Sequence, residues 1–295
     1  MNDTWNADSS AHGTAPPDGP AYAGHAAPVR PPAVAALLDE VARRAPTTAA
    51  LTALQTPLGA AEAAAGPLLG DRAWLREQVR LSALRWGTDD VRVAGTLWWY
   101  SSSTVLLAPP VATGFLTGTA AHPGPDGLLL REEGQGRLTV ARPTRVLPGP
   151  AAQNLPGKLR TLLETCVGNL AGVTGLRPRP LWSLACDALA NVALSVGRET
   201  GRTAEATEFA GRLADAVGWP LPAPRWVDVP VPDGSDGLFP VPPVPGGVER
   251  FVRRGSCCLI YEAPGESKCA SCPRRGPEDR RVRLEITASR RAAGG

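Results

Sequence analysis

The stretch AGTLWWYSSSTVLLAPPVATGFLTGTAA, Ala94–Ala121, contains no Asp, Glu, Lys or Arg, and its reading decides what kind of fold this chain adopts. It is long enough to cross a bilayer, for which about 20 apolar residues suffice. Ser101-Ser102-Ser103-Thr104 and Pro109-Pro110 interrupt it, so no continuous apolar run of that length survives. The stretch therefore reads as a buried helix, a break and a second buried element at the centre of a soluble body, not as a membrane span. Within it, Trp98-Trp99-Tyr100 reads as buried helix core in preference to the lining of a ligand pocket.

Working outward, Asp71 is placed to cap a helix that turns Leu75, Val79, Ala83 and Trp86 inward and ends at Gly87. Thr88 is placed to cap the next, with Asp89 and Asp90 complementing its dipole. Upstream, Val34, Leu37, Leu38 and Val41 repeat at helical spacing until Pro46. Downstream, Leu128-Leu129-Leu130 and Leu138-Thr139-Val140 are joined through Glu133-Gly134-Gln135-Gly136 as a hairpin. Helices are expected again at about 157–174, 181–196 and 203–217.

Residues 1–32 are polar and proline-dotted, and read as a disordered tail without the apolar core of a secretion signal. Residues 220–247 carry nine prolines and read as an irregular connection. The fold class expected is mainly α with a minor β-hairpin or small sheet (α+β). It consists of a tail (1–32), a helical body (33–219), a Pro-rich connection (220–247) and a distinct C-terminal segment (248–295).

Composition limits the function. The 295 residues include 43% hydrophobic residues, which excludes wholesale disorder. A net charge of +3 argues against a dedicated nucleic-acid binder. No G-x-G-x-x-G turn suggests a nicotinamide or flavin site. Two of the three histidines, His12 and His25, lie in the tail and leave only His122 in the body, which argues against histidine-based chemistry.

The six cysteines are the chemical signal. Cys166 and Cys186 lie singly in helical patterns, where cysteine behaves as a small buried hydrophobe. The other four, Cys257-Cys258 and Cys269-Ala270-Ser271-Cys272, fall within sixteen residues. Disulfides are disfavoured by the cytoplasmic compartment expected here. A four-cysteine zinc site remains open, since Cys-x-x-Cys is a common zinc half-site, although an adjacent pair is unusual for one. A [2Fe–2S] cluster held by four thiolates is the third option. Adjacent side chains in a strand point to opposite faces, so both sulfurs of Cys257-Cys258 reach one centre only if the backbone bends, with Gly255 and Pro264-Gly265 as candidate turns.

Arg253-Arg254-Gly255-Ser256-Cys257-Cys258-Leu259-Ile260-Tyr261, followed by Cys269-Ala270-Ser271-Cys272-Pro273, resembles the C-terminal signature of the FhuF-type ferric-siderophore reductases, Cys-Cys-x10-Cys-x2-Cys. The resemblance covers about residues 250–273 and is weaker in the body. Arg274-Arg275 stands where an apolar residue would be usual after the Cys-Pro. The resemblance implies a [2Fe–2S] cluster with Cys257, Cys258, Cys269 and Cys272 as ligands. It also implies a cytoplasmic oxidoreductase that passes one electron to a ferric siderophore and so releases Fe(II). Such a protein needs a separate electron donor, a ferredoxin-like carrier or a flavin or NAD(P)H reductase. An iron–sulfur sensor or shuttle is the alternative, and a structural zinc tail a further one. From Glu249 to Arg283, nine basic residues face five acidic ones, a net of +4. Arg253, Arg254, Arg274 and Arg275 are candidate docking residues for an anionic ferric complex or an acidic donor. A solvated arginine surface with no ligand explains the same charge.

Overall fold

The computed structural model describes residues 31–46, 64–231 and 247–294. The expected tail falls almost wholly outside these residues, as does the proline-rich run 232–246. A helical body carries a three-stranded sheet on its side and a small C-terminal unit built on a two-stranded sheet.

Helix α1 (Pro32–Arg44) buries Val34, Leu37, Leu38 and Val41, the face expected from their spacing. Helix α2 (Arg72–Trp86) starts at Asp71, whose carboxylate accepts from the N–H groups of Ala73 (2.7 Å) and Trp74 (3.3 Å), a cap worth about 1 kcal/mol. It stops at Gly87, which has φ +59°. Helix α3 (Val91–Thr117) is capped by Asp90 and not by Thr88.

Helix α3 also corrects the break expected at Pro109-Pro110, because it runs unbroken through both prolines for 27 residues. Each proline removes one intrahelical donor. The cost is offset by burial: Leu106, Leu107, Ala108, Val111 and Ala112 are all at most 1% exposed, and the Thr113 hydroxyl donates to the Pro109 carbonyl at 2.7 Å. Tertiary packing has overridden local propensity.

Strands β1 (Ala64–Ala65), β2 (Leu128–Glu133) and β3 (Arg137–Pro143) form the antiparallel sheet in that order. The hairpin between β2 and β3 turns where expected, with Gln135 (φ 64°) and Gly136 (φ 72°) both left-handed. Helices α4 (Ala151–Thr174), α5 (Pro178–Glu199) and α6 (Thr203–Val217) complete the body. Trp98 and Trp99 are buried in its core, and the Trp99 indole donates to the Leu181 carbonyl at 2.8 Å. Helix α5 is apolar and long enough to cross a membrane, yet 78% of its most apolar window is buried inside the fold. It is a core helix.

The stretch expected as an irregular connection contains strand β4 (Trp226–Pro230), paired antiparallel with β5 (Val248–Val252). Trp226-Val227-Asp228-Val229 forms strand despite the surrounding prolines, since Pro230 sits at its end, where a missing donor costs little. Arg250 meets Asp228 directly across the pair, through two contacts of 2.7 Å. Helix α7 (Pro277–Gly294) covers this sheet, with Leu284 and Ala288 packed on Val229 and Phe251. Val252 packs against Ala190 and Leu194 of α5, and this contact fixes the loop that follows β5 against the body.

Candidate metal centre

The loop between β5 and α7 carries Cys257, Cys258, Cys269 and Cys272, and the structure brings all four sulfurs together. Cys257 Sγ lies 3.7 Å from Cys272 Sγ. One nitrogen of Arg254, Nη1, bridges Cys258 Sγ (3.6 Å) and Cys269 Sγ (3.3 Å). Cys258 and Cys272 are buried, Cys257 and Cys269 partly so, and none is in a disulfide.

The bend that the adjacent cysteines require falls at Leu259, a position the sequence did not single out. Leu259 is left-handed (φ 63°), uncommon for a branched side chain and costly enough to need support from its surroundings. Its N–H then points back to Cys257 Sγ at 3.4 Å. Support comes from packing: Leu259, Ile260, Cys258 and Ala263 sit on Val93 and Leu97 at the start of α3 and on Trp86 at the end of α2. Gly265 (φ 78°) makes the turn expected between the cysteine pairs.

Two arginines face inward. Arg254 is 5% exposed; its guanidinium lies 4.8 Å from the centre of the Tyr100 ring, and its Nε is 3.7 Å from Asp187 Oδ2. Burial opposes its charge, but the fields of Tyr100, Cys258 and Cys269 outweigh that, so it stays protonated. Asp187, on α5, also accepts from the Gly255 N–H at 3.0 Å, tying the loop to the body. Burial pushes the Asp187 carboxyl up, and the Gly255 N–H and Arg254 pull it back. Arg275 clamps the other end of the loop. It donates through Nε to the Cys269 carbonyl (2.8 Å), through Nη2 to the Lys268 carbonyl, and through Nη1 to Asp279 (2.7 Å).

Of the four arginines considered for docking, Arg254 and Arg275 thus serve the interior of the loop, while Arg253 and Arg274 are exposed. Arg274 rests over the Tyr261 ring at 5.7 Å. Cys166 and Cys186 lie in the helical body, their thiols pushed up to about 12 by burial.

Four converging soft donors suit iron or zinc in the thiolate form. Cys258 is already held well below the usual thiol range, first by hydrogen bonds from Cys257 and Cys269 and then by Arg254, while the donating thiols of Cys257 and Cys269 are pushed up. Arg254 Nε and Nη2 are buried without a hydrogen-bond partner. A guanidinium left in that state fits a site made to carry excess negative charge.

Residues 254–274 match the family model of the FhuF 2Fe-2S C-terminal domain. The cofactor of this segment is therefore a [2Fe–2S] cluster, and the zinc alternative falls away. Among curated proteins none matches the chain. The FhuF-type segment begins at the buried Arg254, spans all four clustered cysteines and ends at Arg274.

Proposed function

We propose that this protein is a cytoplasmic ferric-siderophore reductase in which Cys257, Cys258, Cys269 and Cys272 ligate the cluster. The observation that carries this reading is the convergence of these four thiols within the FhuF-type segment.

When bound, the cluster supplies one electron at a time. Everything else is the work of the chain. Arg254 and the Leu259 N–H place positive charge and a donor on the sulfurs, which stabilises the more negative reduced state. Val93, Leu97, Leu259 and Ala263 exclude water from one side. Cys257 and Cys269 are the more open pair.

The substrate chemistry needs no protein nucleophile or acid–base pair. Fe(III) is held in a siderophore by hard oxygen donors, and Fe(II), softer and less charged, binds them far less well. One electron passes to Fe(III) and Fe(II) leaves; the electron is restored by a separate ferredoxin-like carrier or flavin or NAD(P)H reductase.

The test is turnover with an external reductase, a ferric siderophore and a chromogenic Fe(II) trap. Fe(II) should appear in proportion to wild-type holoprotein and be absent with Cys269→Ala. If wild type and variant release the same Fe(II), this reading fails and the sensor or shuttle reading replaces it.

A further inference from the structure

A cavity of about 440 Å³ opens beside the cluster loop, between the β4–β5 sheet and the start of α7. Its size falls within the usual range for a small-molecule site. Its wall includes Gly255, two residues before Cys257, together with Ser271 and Pro273, which flank Cys272 in the chain. A molecule held there sits against the backbone that leads to Cys257 and flanks Cys272.

The charge on the wall is one-sided. Arg225, Arg253, Arg254 and Arg280 all contribute. Arg280 donates to the Arg275 carbonyl at 3.2 Å, a contact that leaves its charge unneutralised, whereas Arg225, which donates to the Arg254 carbonyl at 3.4 Å, also acts on the buried Asp187 carboxylate. Among the described residues, no ion pair joins Arg225, Arg253 or Arg280 to a carboxylate. The one acid in the wall, Asp228, is committed to Arg250, and Arg281 is already paired with Glu278 and Glu285. Behind the wall, the buried Arg254 guanidinium adds positive charge without reaching the cavity surface. Trp226 and Pro273 supply apolar wall between the charges.

Unpaired arginines in a concave site select carboxylates and other oxyanions by paired N–H donation. A folded acidic protein cannot enter so small a space. We infer that this cavity binds the substrate and that the substrate is an anionic ferric complex with free carboxylate or comparable oxyanion groups, not a neutral trihydroxamate. The inference rests on the reductase reading for the word substrate, and on the cavity alone for the class of ligand.

Gallium(III) complexes separate the two, because gallium copies the shape and charge of the ferric complex but takes no electron. The probes are gallium citrate and the gallium complex of a neutral trihydroxamate, titrated calorimetrically into oxidised holoprotein. The anionic complex should bind at least ten times more tightly than the neutral one, with an affinity that falls as salt rises. Arg253→Ala/Arg280→Ala should weaken its binding at least tenfold while cluster absorbance and circular dichroism stay as in wild type. Equal affinity for both complexes, unchanged binding by the double variant, or equally tight binding of metal-free citrate would each overturn the assignment. Parallel reoxidation of the reduced protein by ferric citrate keeps the two ideas apart. If gallium citrate binds as described and no ferric complex offered oxidises the cluster, the reductase reading fails and the site stands. If ferric complexes oxidise the cluster and the gallium complexes ignore the arginines, the site fails and the reductase stands.

Discussion

Replacing Arg254 with Met should lower the reduction potential of the cluster without removing it. Nη1 of Arg254 stands 3.6 Å from Cys258 Sγ and 3.3 Å from Cys269 Sγ, so its charge acts on two of the four ligands. At an effective dielectric of about 20, a unit charge at about 4 Å contributes about 4 kcal/mol. The two sulfurs carry only a share of the added electron. For a share of about a quarter to a half, the loss is about 1–2 kcal/mol, which for a one-electron couple is about 40–90 mV more negative. Arg254→Lys keeps the charge but loses the fork, and should fall between variant and wild type. The assay is a redox titration of the holoprotein followed by EPR and visible absorbance. Loss of Arg254 also strands the Asp187 carboxylate, 5% exposed, at a stability cost of up to about 3–5 kcal/mol. Arg254→Met/Asp187→Asn removes that cost, since the amide oxygen still accepts from Gly255, and should show the same drop in potential. An intact cluster with an unchanged potential in both variants would refute the role given to Arg254.

Other outcomes follow from the same geometry. Cys269→Ala should lose cluster absorbance while far-UV circular dichroism stays near wild type, because the main core lies in the helical body and does not include the loop; collapse of the helical signal would contradict this. Cys166→Ala and Cys186→Ala should leave the cluster spectrum unchanged and cost about 1–2 kcal/mol each in chemical denaturation, and loss of the cluster in either would overturn the four-ligand assignment. His122 is buried, its Nδ1 accepts from the Gly124 N–H at 3.0 Å, and burial, then Arg145, lowers its pKa. The unfolded chain therefore takes up the proton first. Wild type should lose stability relative to His122→Asn as pH falls below about 6.5 toward the lower folded value, and a difference independent of pH would contradict it.

What the sequence made legible was local or densely patterned. Asp71 and Gly87 end α2 by their own backbone chemistry, and the Gly134-Gln135-Gly136 turn sets the hairpin. The four cysteines are close enough along the chain to be read as one centre. What stayed hidden depends on residues far apart. Asp187 meets Gly255 across 68 positions, and nothing around Asp187 in a helical pattern marks it as the tether of the loop. Arg254 and Arg275 look like surface charges in a basic run, and only their packing turns them inward. Pro109 and Pro110 signal a break that a helix buried throughout residues 106–116 overrides, and the prolines around Trp226–Pro230 mask a strand whose partner lies beyond residue 247.

Passage of an electron from the four-cysteine centre to a ferric siderophore is measured directly by single-turnover stopped flow. Anaerobic holoprotein, containing about two iron and two sulfide per chain, is reduced with dithionite, freed of excess reductant and mixed with a ferric siderophore in the presence of an Fe(II) trap. The oxidised cluster absorbance should return with about one Fe(II) trapped for each cluster oxidised. A reduced cluster that persists against every ferric siderophore offered would contradict the reductase reading.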